Sequence, residues 1–424
     1  MKSGILKVLL KKITEKIINK YNPLIVAVTG SVGKTSTKDA IHTTLNRYKN
    51  SRKGSRNLNT EIGAPLVFLG IEEPGHSVKE WLLILAKGVK LILKKDKNYP
   101  EIIVMEMAAD KPGDIEYLTS FIKPHIGVVT AIGETPVHLE FFKNVNEVVK
   151  EKSLLAKHTK KGGTVLLNAD DGRVFQMKGR SKAKVKTFGL SERAEIRADN
   201  IKYTGDEKDP RGVEFLITHD TEEHTVELPN VFDEGTVYSV LAAIGVGIAV
   251  GIPVYRLVES CKKVEPPKGR MKIIEGENFN MIDSSYNAAP KSTELAVKTL
   301  EKLPANRKVA VLGDMLELGD HSKKAHKEIG EMINFLSVLV TIGEDSELIG
   351  KAAKENGFTG DIYHFEKAEE ASEKLDEIVR ENDLILVKGS QSIRTEKVIE
   401  ELMTGDPEKN LVRQYYPWKG DGES

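Results

Sequence analysis

The chain has 424 residues, enough for two or three domains with ample core. Its 63 basic and 63 acidic residues cancel, so no global field gathers nucleic acid or acidic lipid, and nucleic acid is excluded as a partner. One cysteine, Cys261, excludes an internal disulfide and fits a reducing, cytoplasmic compartment. No stretch reaches the ~20 apolar residues of a membrane span, and no secretory signal is evident.

Residues 1–20 predict a basic amphipathic helix. Leu6, Leu9, Leu10, Ile13 and Ile17 recur at helical spacing, among Lys2, Lys7, Lys11, Lys12, Lys16 and Lys20. The stretch from Trp81 to Leu93 has the same lysine-bordered character. Packing of both segments as ordinary structure is the preferred expectation, and peripheral contact with an anionic membrane through residues 1–20 is the alternative. An apolar run, Leu24 to Val28, then breaks into Thr29-Gly30-Ser31-Val32-Gly33-Lys34-Thr35-Ser36 at the head of a helix. Glycines there let backbone N–H groups converge on phosphate oxygens, the helix start adds partial positive charge, and Lys34 adds a full one. The Thr35 hydroxyl is placed for Mg²⁺. Only two residues separate Gly30 from Gly33, a short variant of the phosphate loop. The pattern predicts ATP or a close relative as ligand.

Further along, Ile102 to Met107, Ile126 to Ala131 and Val165 to Leu167 read as buried parallel strands. Glu195 to Leu228 reads as a β-rich antiparallel annex and Val240 to Val250 as a small-residue helix. Pro266-Pro267-Lys268-Gly269 marks a domain boundary. Beyond it, strands at Met281-Ile282, Val309 to Leu312, Val338 to Val340 and Leu384 to Val387 alternate with helices such as Lys323 to Phe335. The tail from Asn410 to Ser424 reads as irregular. The expected class is α/β: a central P-loop ATPase domain with a mostly parallel sheet, then a C-terminal Rossmann-like domain. The expected division is an N-terminal helix (1–22), a central domain (23–265) and a C-terminal domain (266–424).

The short loop and the blocks after it resemble the Mur ligase family, nearest its MurF type. The blocks are Asn57-Leu58-Asn59-Thr60-Glu61-Ile62-Gly63-Ala64-Pro65, Met105-Glu106-Met107, Pro112-Gly113-Asp114, His138-Leu139-Glu140-Phe141-Phe142 and Asn168-Ala169-Asp170-Asp171. Gly269-Arg270-Met271, Asp283 to Ala288, Leu312 to Gly319 and Val387-Lys388-Gly389-Ser390 follow in the family order. The resemblance implies an ATP-dependent ligase that joins a carboxylate to an amine through an acyl phosphate. It implies addition of an amino acid or dipeptide to a small-molecule cell-wall peptide precursor.

Residue by residue, it implies catalytic roles for Lys34, Glu106, His138 and Lys152, with Mg²⁺ held at Thr35, Glu106, His138 and Lys152. Lys152 matches the lysine that many members carbamylate. Arg270, Asp283, Tyr286 and Asn287 would contact ATP from the C-terminal domain, whereas Asn59, Thr60, Lys388 and Ser390 would face substrate. The chain departs from the pattern at Ala131, Ser284, Ala289 and Gln391-Ser392, and at Gly235 to Ser239, where the adenine-reading segment is expected. The phosphate loop at residue 30 also leaves no room before it for the family's UDP-sugar-binding domain, so another acceptor, including a lipid-linked one, is an alternative. Relatives making poly-γ-glutamate, cyanophycin or folylpolyglutamate share the short loop, and a silent nucleotide-binding partner subunit is the remaining alternative. The oligomeric state is left open.

Overall fold

The structure, a computed structural model, describes residues 3–55, 58–73, 77–132, 142–205, 210–220 and 222–412. The chain forms two compact units. One comprises residues 1–202, 214–229 and 235–264, the other residues 203–213, 230–234 and 265–424.

The first unit begins with α1 (Ser3–Tyr21), followed by β1 (Leu24–Thr29), α2 (Lys34–Asn46), β2 (Ser51–Lys53), α3 (Gly63–Leu69), α4 (Val78–Leu93) and β3 (Ile102–Glu106). It continues through α5 (Asp114–Phe121), β4 (Ile126–Val129), α6 (Val145–His158), β5 (Thr164–Asn168), α7 (Gly172–Phe175) and β6 (Lys184–Gly189). Strands β7 (Ile196–Gly205), β8 (Pro210–His219) and β9 (Glu222–Pro229) then precede α8 (Glu234–Ala249) and α9 (Val254–Cys261), with the end of β7, the start of β8 and the first residue of α8 counted in the second unit. The nine strands lie in the order β2-β3-β1-β4-β5-β6-β7-β8-β9. Pairing is parallel from β2 through β7. Continuous runs such as Ile25 to Val28 and Ile102 to Met105 are buried, because helices cover both faces of a parallel sheet. β1 lies between β3 and β4, with Val28 opposite Glu106 on β3 and Thr29 opposite Val129 on β4. That register brings three strand ends to one edge.

Of the N-terminal stripe, Leu6, Leu10, Ile13 and Ile17 are buried in the core of this unit, so α1 docks as ordinary structure. Several of its lysines have local partners. Lys7 pairs with Glu61, and Lys11 donates to the Ser120 hydroxyl. Lys20 donates to the Leu91 and Ile92 carbonyls at the end of α4, at 3.0 and 2.7 Å, where a cation offsets the helix dipole. Gly88 of α4 lies against Ile13, whose Cγ2 would be 2.7 Å from any added Cβ. Cys261 is buried beside the Thr44 hydroxyl, and burial pushes its thiol up to about 12, which suits packing rather than chemistry.

The second unit carries β10 (Lys272–Glu275), β11 (Asn280–Ser284), α10 (Pro290–Lys302), β12 (Arg307–Gly313), α11 (Ser322–Gly330), β13 (Val338–Ile342), α12 (Glu347–Glu355) and β14 (Asp361–Phe365). It ends with α13 (Ala368–Ile378), β15 (Asp383–Lys388), α14 (Glu396–Leu402) and α15 (Pro407–Asn410). Its sheet runs β10-β11-β15-β12-β13-β14, antiparallel only at β10–β11. Helix α11 stops at Gly330 instead of running to Phe335. There α11 meets α12 so closely that a Cβ would lie 2.4 Å from the Ile349 carbonyl oxygen. The expected irregular tail lies mostly outside the described residues, since 413–424 are among those left out. The mixed α/β class with two sheets is as expected.

Candidate active site

The phosphate loop connects β1 to α2, and two features of the sequence give it its shape. Gly30 (φ 145°) and Gly33 (φ 84°) occupy backbone conformations that a Cβ would strain. The Ser31 and Val32 amides donate to the Ala131 carbonyl at 2.7 and 3.2 Å, which ties the loop to the segment after β4. Thr130 closes the same turn, its hydroxyl donating to the Val32 carbonyl at 2.6 Å and the Thr29 carbonyl at 3.1 Å. Thr29 in turn donates through Oγ1 to the Met107 carbonyl at 2.8 Å. The outcome is a clamped loop at the amino end of α2, where Lys34, Thr35 and Ser36 form the first turn and helix amides lack intrahelical acceptors.

Two lysines converge on one loop oxygen. Lys34 Nζ donates to the Gly30 carbonyl at 3.0 Å and to the Ser31 carbonyl at 3.3 Å. Lys152, on α6, donates to the same Gly30 carbonyl at 3.0 Å. Burial, with the Lys34 ammonium adding to it, pushes the Lys152 amine down to about 7. As it stands, Lys152 is an amine donor and does not fit a metal. Only conversion to a carbamate would give it oxygen ligands.

Glu106 ends β3 and is buried, and its Oε1 lies 3.2 Å from Nζ of buried Lys38. Lys38 follows Lys34 by four residues on the same face of α2, so the carboxylate enters the site already neutralised. Lys38 also lies 3.5 Å from Asp39, which pairs with Lys53 at 3.0 Å. The sequence reading missed Lys38, although its spacing from Lys34 was a usable signal. The hydroxyl of Thr35 and the carboxylate of Glu106 are hard oxygen donors of the type Mg²⁺ takes. Among the described residues, no group of three or more His, Cys, Asp or Glu side chains could hold a metal by itself. His138 lies outside the described residues, as does Asn57. Asn59 accepts through its carbonyl from the Ala108 amide at 3.3 Å, and Thr60 Oγ1 accepts from the Gly63 amide at 3.2 Å, at the start of α3.

The second unit gathers its own cluster at the carboxyl ends of β11, β15 and β12, where Ser284 and Leu312 both register with Lys388. Asp283 is buried, accepting from the Gly269 amide (3.0 Å), the Ser285 amide (3.0 Å) and the Ser285 hydroxyl (2.6 Å). Burial pushes its carboxyl up against the lowering effect of these bonds. Its contacts organise the 269–285 turn. Arg270 stacks its guanidinium 4.2 Å from the Tyr286 ring centroid, and Asn287 accepts through its carbonyl from Lys388 Nζ at 2.8 Å. Lys388 also donates to the Ser284 hydroxyl at 3.2 Å, and Ser390 Oγ accepts from the Leu316 amide at 2.9 Å. Buried His326 accepts at Nε2 from the Met315 amide (3.0 Å), and its Nδ1 lies 2.8 Å from the Ser322 carbonyl, so Nδ1 carries the proton. That pins the 314–316 loop beside Ser390. Asp314 Oδ1 accepts from the Ser346 amide at 2.7 Å.

Burial, reinforced by the Arg270 guanidinium and opposed by Asp283, pushes Lys388 down to about 7. Unfolded, Lys388 and Lys152 keep their protons to an ordinary 10.5, whereas folded they release them near 7. Folding therefore expels protons between those values, and stability rises with pH from about 7 upward. Each lysine contributes a slope of up to about 1.4 kcal/mol per pH unit. Denaturation midpoints of the wild type should rise between about pH 7.2 and about pH 8.7, and Lys388→Met should show a shallower rise. Equal slopes would mean that Lys388 keeps its charge in the folded protein.

Profiles of known families match both units. The Mur ligase middle domain matches residues 28–247, and the Mur ligase glutamate ligase domain matches residues 269–391. The chain belongs to the Mur ligase family. Among curated relatives, the UDP-N-acetylmuramoyl-tripeptide--D-alanyl-D-alanine ligase of Bacillus subtilis (strain 168) is 25% identical over 398 residues, covering 93% of this chain and 79% of that protein. The Escherichia coli (strain K12) ligase of the same name is 28% identical over 386 residues, 89% of this chain and 76% of its own. Of solved structures, the MurF ligase from Thermotoga maritima in complex with ADP aligns with TM-score 0.77 and 26% identity, covering 95% of this chain and 84% of that one. MurF from Acinetobacter baumannii shares the fold, with TM-score 0.78, 23% identity and coverages of 94% and 80%. The reading of this Mur ligase as a MurF-type, ATP-dependent ligase is borne out.

Proposed function

We propose that this Mur ligase joins a D-alanyl-D-alanine-type dipeptide to the peptide carboxylate of a UDP-N-acetylmuramoyl-tripeptide-type precursor, in the cytoplasm. The observation that carries the reading is the clamped short phosphate loop with Lys34 and Lys152 on one carbonyl, within a chain that aligns with such ligases over about nine-tenths of its length. A carboxylate must be activated before an amine can displace anything from it. The γ-phosphoryl of ATP passes to a carboxylate oxygen, leaving ADP and an acyl phosphate. The amine nitrogen then attacks the acyl carbon, the carbon–oxygen bond to phosphate breaks, and the nitrogen gives up a proton.

Lys34 and the α2 amides neutralise the phosphate oxygens as charge shifts between them. Thr35, Glu106 and a carbamylated Lys152 are the residues that would hold Mg²⁺, which when bound neutralises the phosphate charge that the lysines do not reach. With its amine pushed down to about 7, Lys152 exposes at physiological pH a far larger share of the lone pair that carbamate formation needs than an ordinary lysine does. Lys38 holds the Glu106 carboxylate in place. In the second unit, Arg270 and Tyr286 are the residues proposed to contact nucleotide, and Lys388 and Ser390 those proposed to hold a substrate carboxylate.

Glu106→Gln tests the metal assignment. It should raise the Mg²⁺ concentration needed for half-maximal turnover and lower turnover by about 10²-fold, through lost ligand charge and positioning. An unchanged Mg²⁺ dependence would remove Glu106 from the site.

A further inference from the structure

Of the ten large apolar side chains exposed among the described residues, eight lie on α1 and α4, two helices that pack on each other where Ile13 meets Gly88. Leu9, expected as part of the N-terminal stripe, is among them, whereas Leu6, Leu10, Ile13 and Ile17 dock inward. Ile5 and Val8 are more than half exposed, as are Leu82, Leu83 and Leu93. Leu93 is 79% exposed, which the fold does not require. On α4, at about 100° per residue, Val78, Leu82, Ala86, Val89 and Leu93 share one sector, and Lys79, Lys90 and Lys94 occupy the adjoining one. Exposed Lys95 and Lys97 follow directly, and α1 adds exposed Lys12 and Lys16. The segments 3–21 and 78–97 together hold eleven lysines against three acids, in a chain whose formal net charge is zero. The positive charge that is absent globally is concentrated around the exposed apolar face.

We propose that α1 and α4 form a docking surface for an anionic lipid bilayer, with the apolar sector of α4 entering the interface and the flanking lysines meeting lipid headgroups. The charge pattern selects this occupant. Lysine is depleted at protein–protein interfaces, whereas a lysine-bordered apolar sector is what a helix lying in a bilayer surface carries. Long lysine side chains reach headgroups while their stems cover apolar surface. Contact does not require insertion, as no helix among the described residues is long and apolar enough to cross a membrane. Nor does it require ordering. The amino end of α4 is capped reciprocally by Ser77 and Glu80, and its last carbonyls accept from Lys20 and from the Tyr21 hydroxyl at 3.0 Å. The helix is therefore built before it meets lipid. This surface is independent of the substrate assignment, and none of its residues belongs to the phosphate site.

Flotation of the full chain with vesicles tests the proposal. With phosphatidylcholine vesicles containing about 30 mol% phosphatidylglycerol at low salt, the chain should float at least about tenfold more than with phosphatidylcholine alone, and high salt should release it. The pair Leu82→Ser and Leu93→Ser, and separately the charge reversal Lys79→Glu, Lys90→Glu and Lys94→Glu, should each cut recovery by about tenfold with turnover on soluble substrates unchanged. A wild-type chain that stays in the soluble fraction with anionic vesicles at low salt overturns the proposal, as does undiminished flotation of the charge-reversed variant. If sedimentation shows a dimer that the double serine variant converts to monomer, with no vesicle recovery, the face is a contact between copies of this chain and the lipid proposal fails.

Discussion

Lys34→Ala is expected to lower ATP-dependent ligation by at least about 10²- to 10³-fold while leaving the fold intact. Lys34 sits on the first turn of α2, and its ammonium is held by the loop's own Gly30 and Ser31 carbonyls, within the hydrogen-bonding shell of the loop that would cradle phosphate. Removing it takes away the full charge next to the helix amides and leaves their partial charges and the buried Lys152 amine. Its side chain is not part of the apolar core, so thermal unfolding should change little. The loss of Lys34 should also relieve Lys152, whose amine is held down by burial first and by Lys34 second, so its titration should move upward in the variant. Near-normal turnover of Lys34→Ala would mean that the loop is not the phosphate site.

Gly30→Ala is expected to be nearly as damaging for a different reason. At φ 145° an alanine is strained, by about 1–3 kcal/mol. Its Cβ would also lie 1.9 Å from Thr130 Oγ1 and 3.1 Å from the Ala131 carbonyl oxygen. Thr130 cannot move away without releasing the Val32 and Thr29 carbonyls, and Ala131 cannot move without releasing the Ser31 and Val32 amides. The loop must therefore open. Nucleotide affinity, measured by calorimetry, should fall by at least about 10²-fold, with a smaller loss of thermal stability. A companion Thr130→Ala change removes the nearest clashing atom and should restore part of the affinity. Full affinity in Gly30→Ala alone would show that the clamp does not shape the site.

Much of the first unit could be read from the chain because parallel strands buried on both faces appear as unbroken apolar runs. Ile102 to Met105 and Leu24 to Val28 are of this kind, and glycine spacing announces the loop between β1 and α2. The N-terminal helix was equally legible, and so was most of its inward stripe, since a period of 3.6 places Leu6, Leu10, Ile13 and Ile17 on the buried face, although Leu9, read with them, is exposed. What escaped were features that depend on atoms brought together from distant parts of the chain. The pairing of Lys38 with Glu106 joins α2 to β3, and the backbone carbonyl of Ala131, a position remarkable in sequence only for lacking asparagine, anchors two loop amides. His326 carries no signal in the sequence, yet it fixes the turn after β12. Helix α11 stops at Gly330, a local stop signal that the sequence reading ran past, and the glycine also permits close contact with α12. Exposure of Leu82, Leu83 and Leu93 runs against the preferred expectation that the Trp81–Leu93 segment packs as ordinary structure, because a strongly apolar helix is usually read as core.

The proposed reaction joins a muramoyl tripeptide precursor to a D-alanyl dipeptide at the expense of ATP. The direct measurement is mass spectrometry of the products after incubation with ATP, Mg²⁺, UDP-N-acetylmuramoyl-tripeptide and D-alanyl-D-alanine, with ADP measured in parallel. The expected result is a species of the summed mass of the two substrates less one water, formed one for one with ADP and absent when either substrate is omitted. ADP release without that species, or no ADP release with both substrates present, would contradict the account.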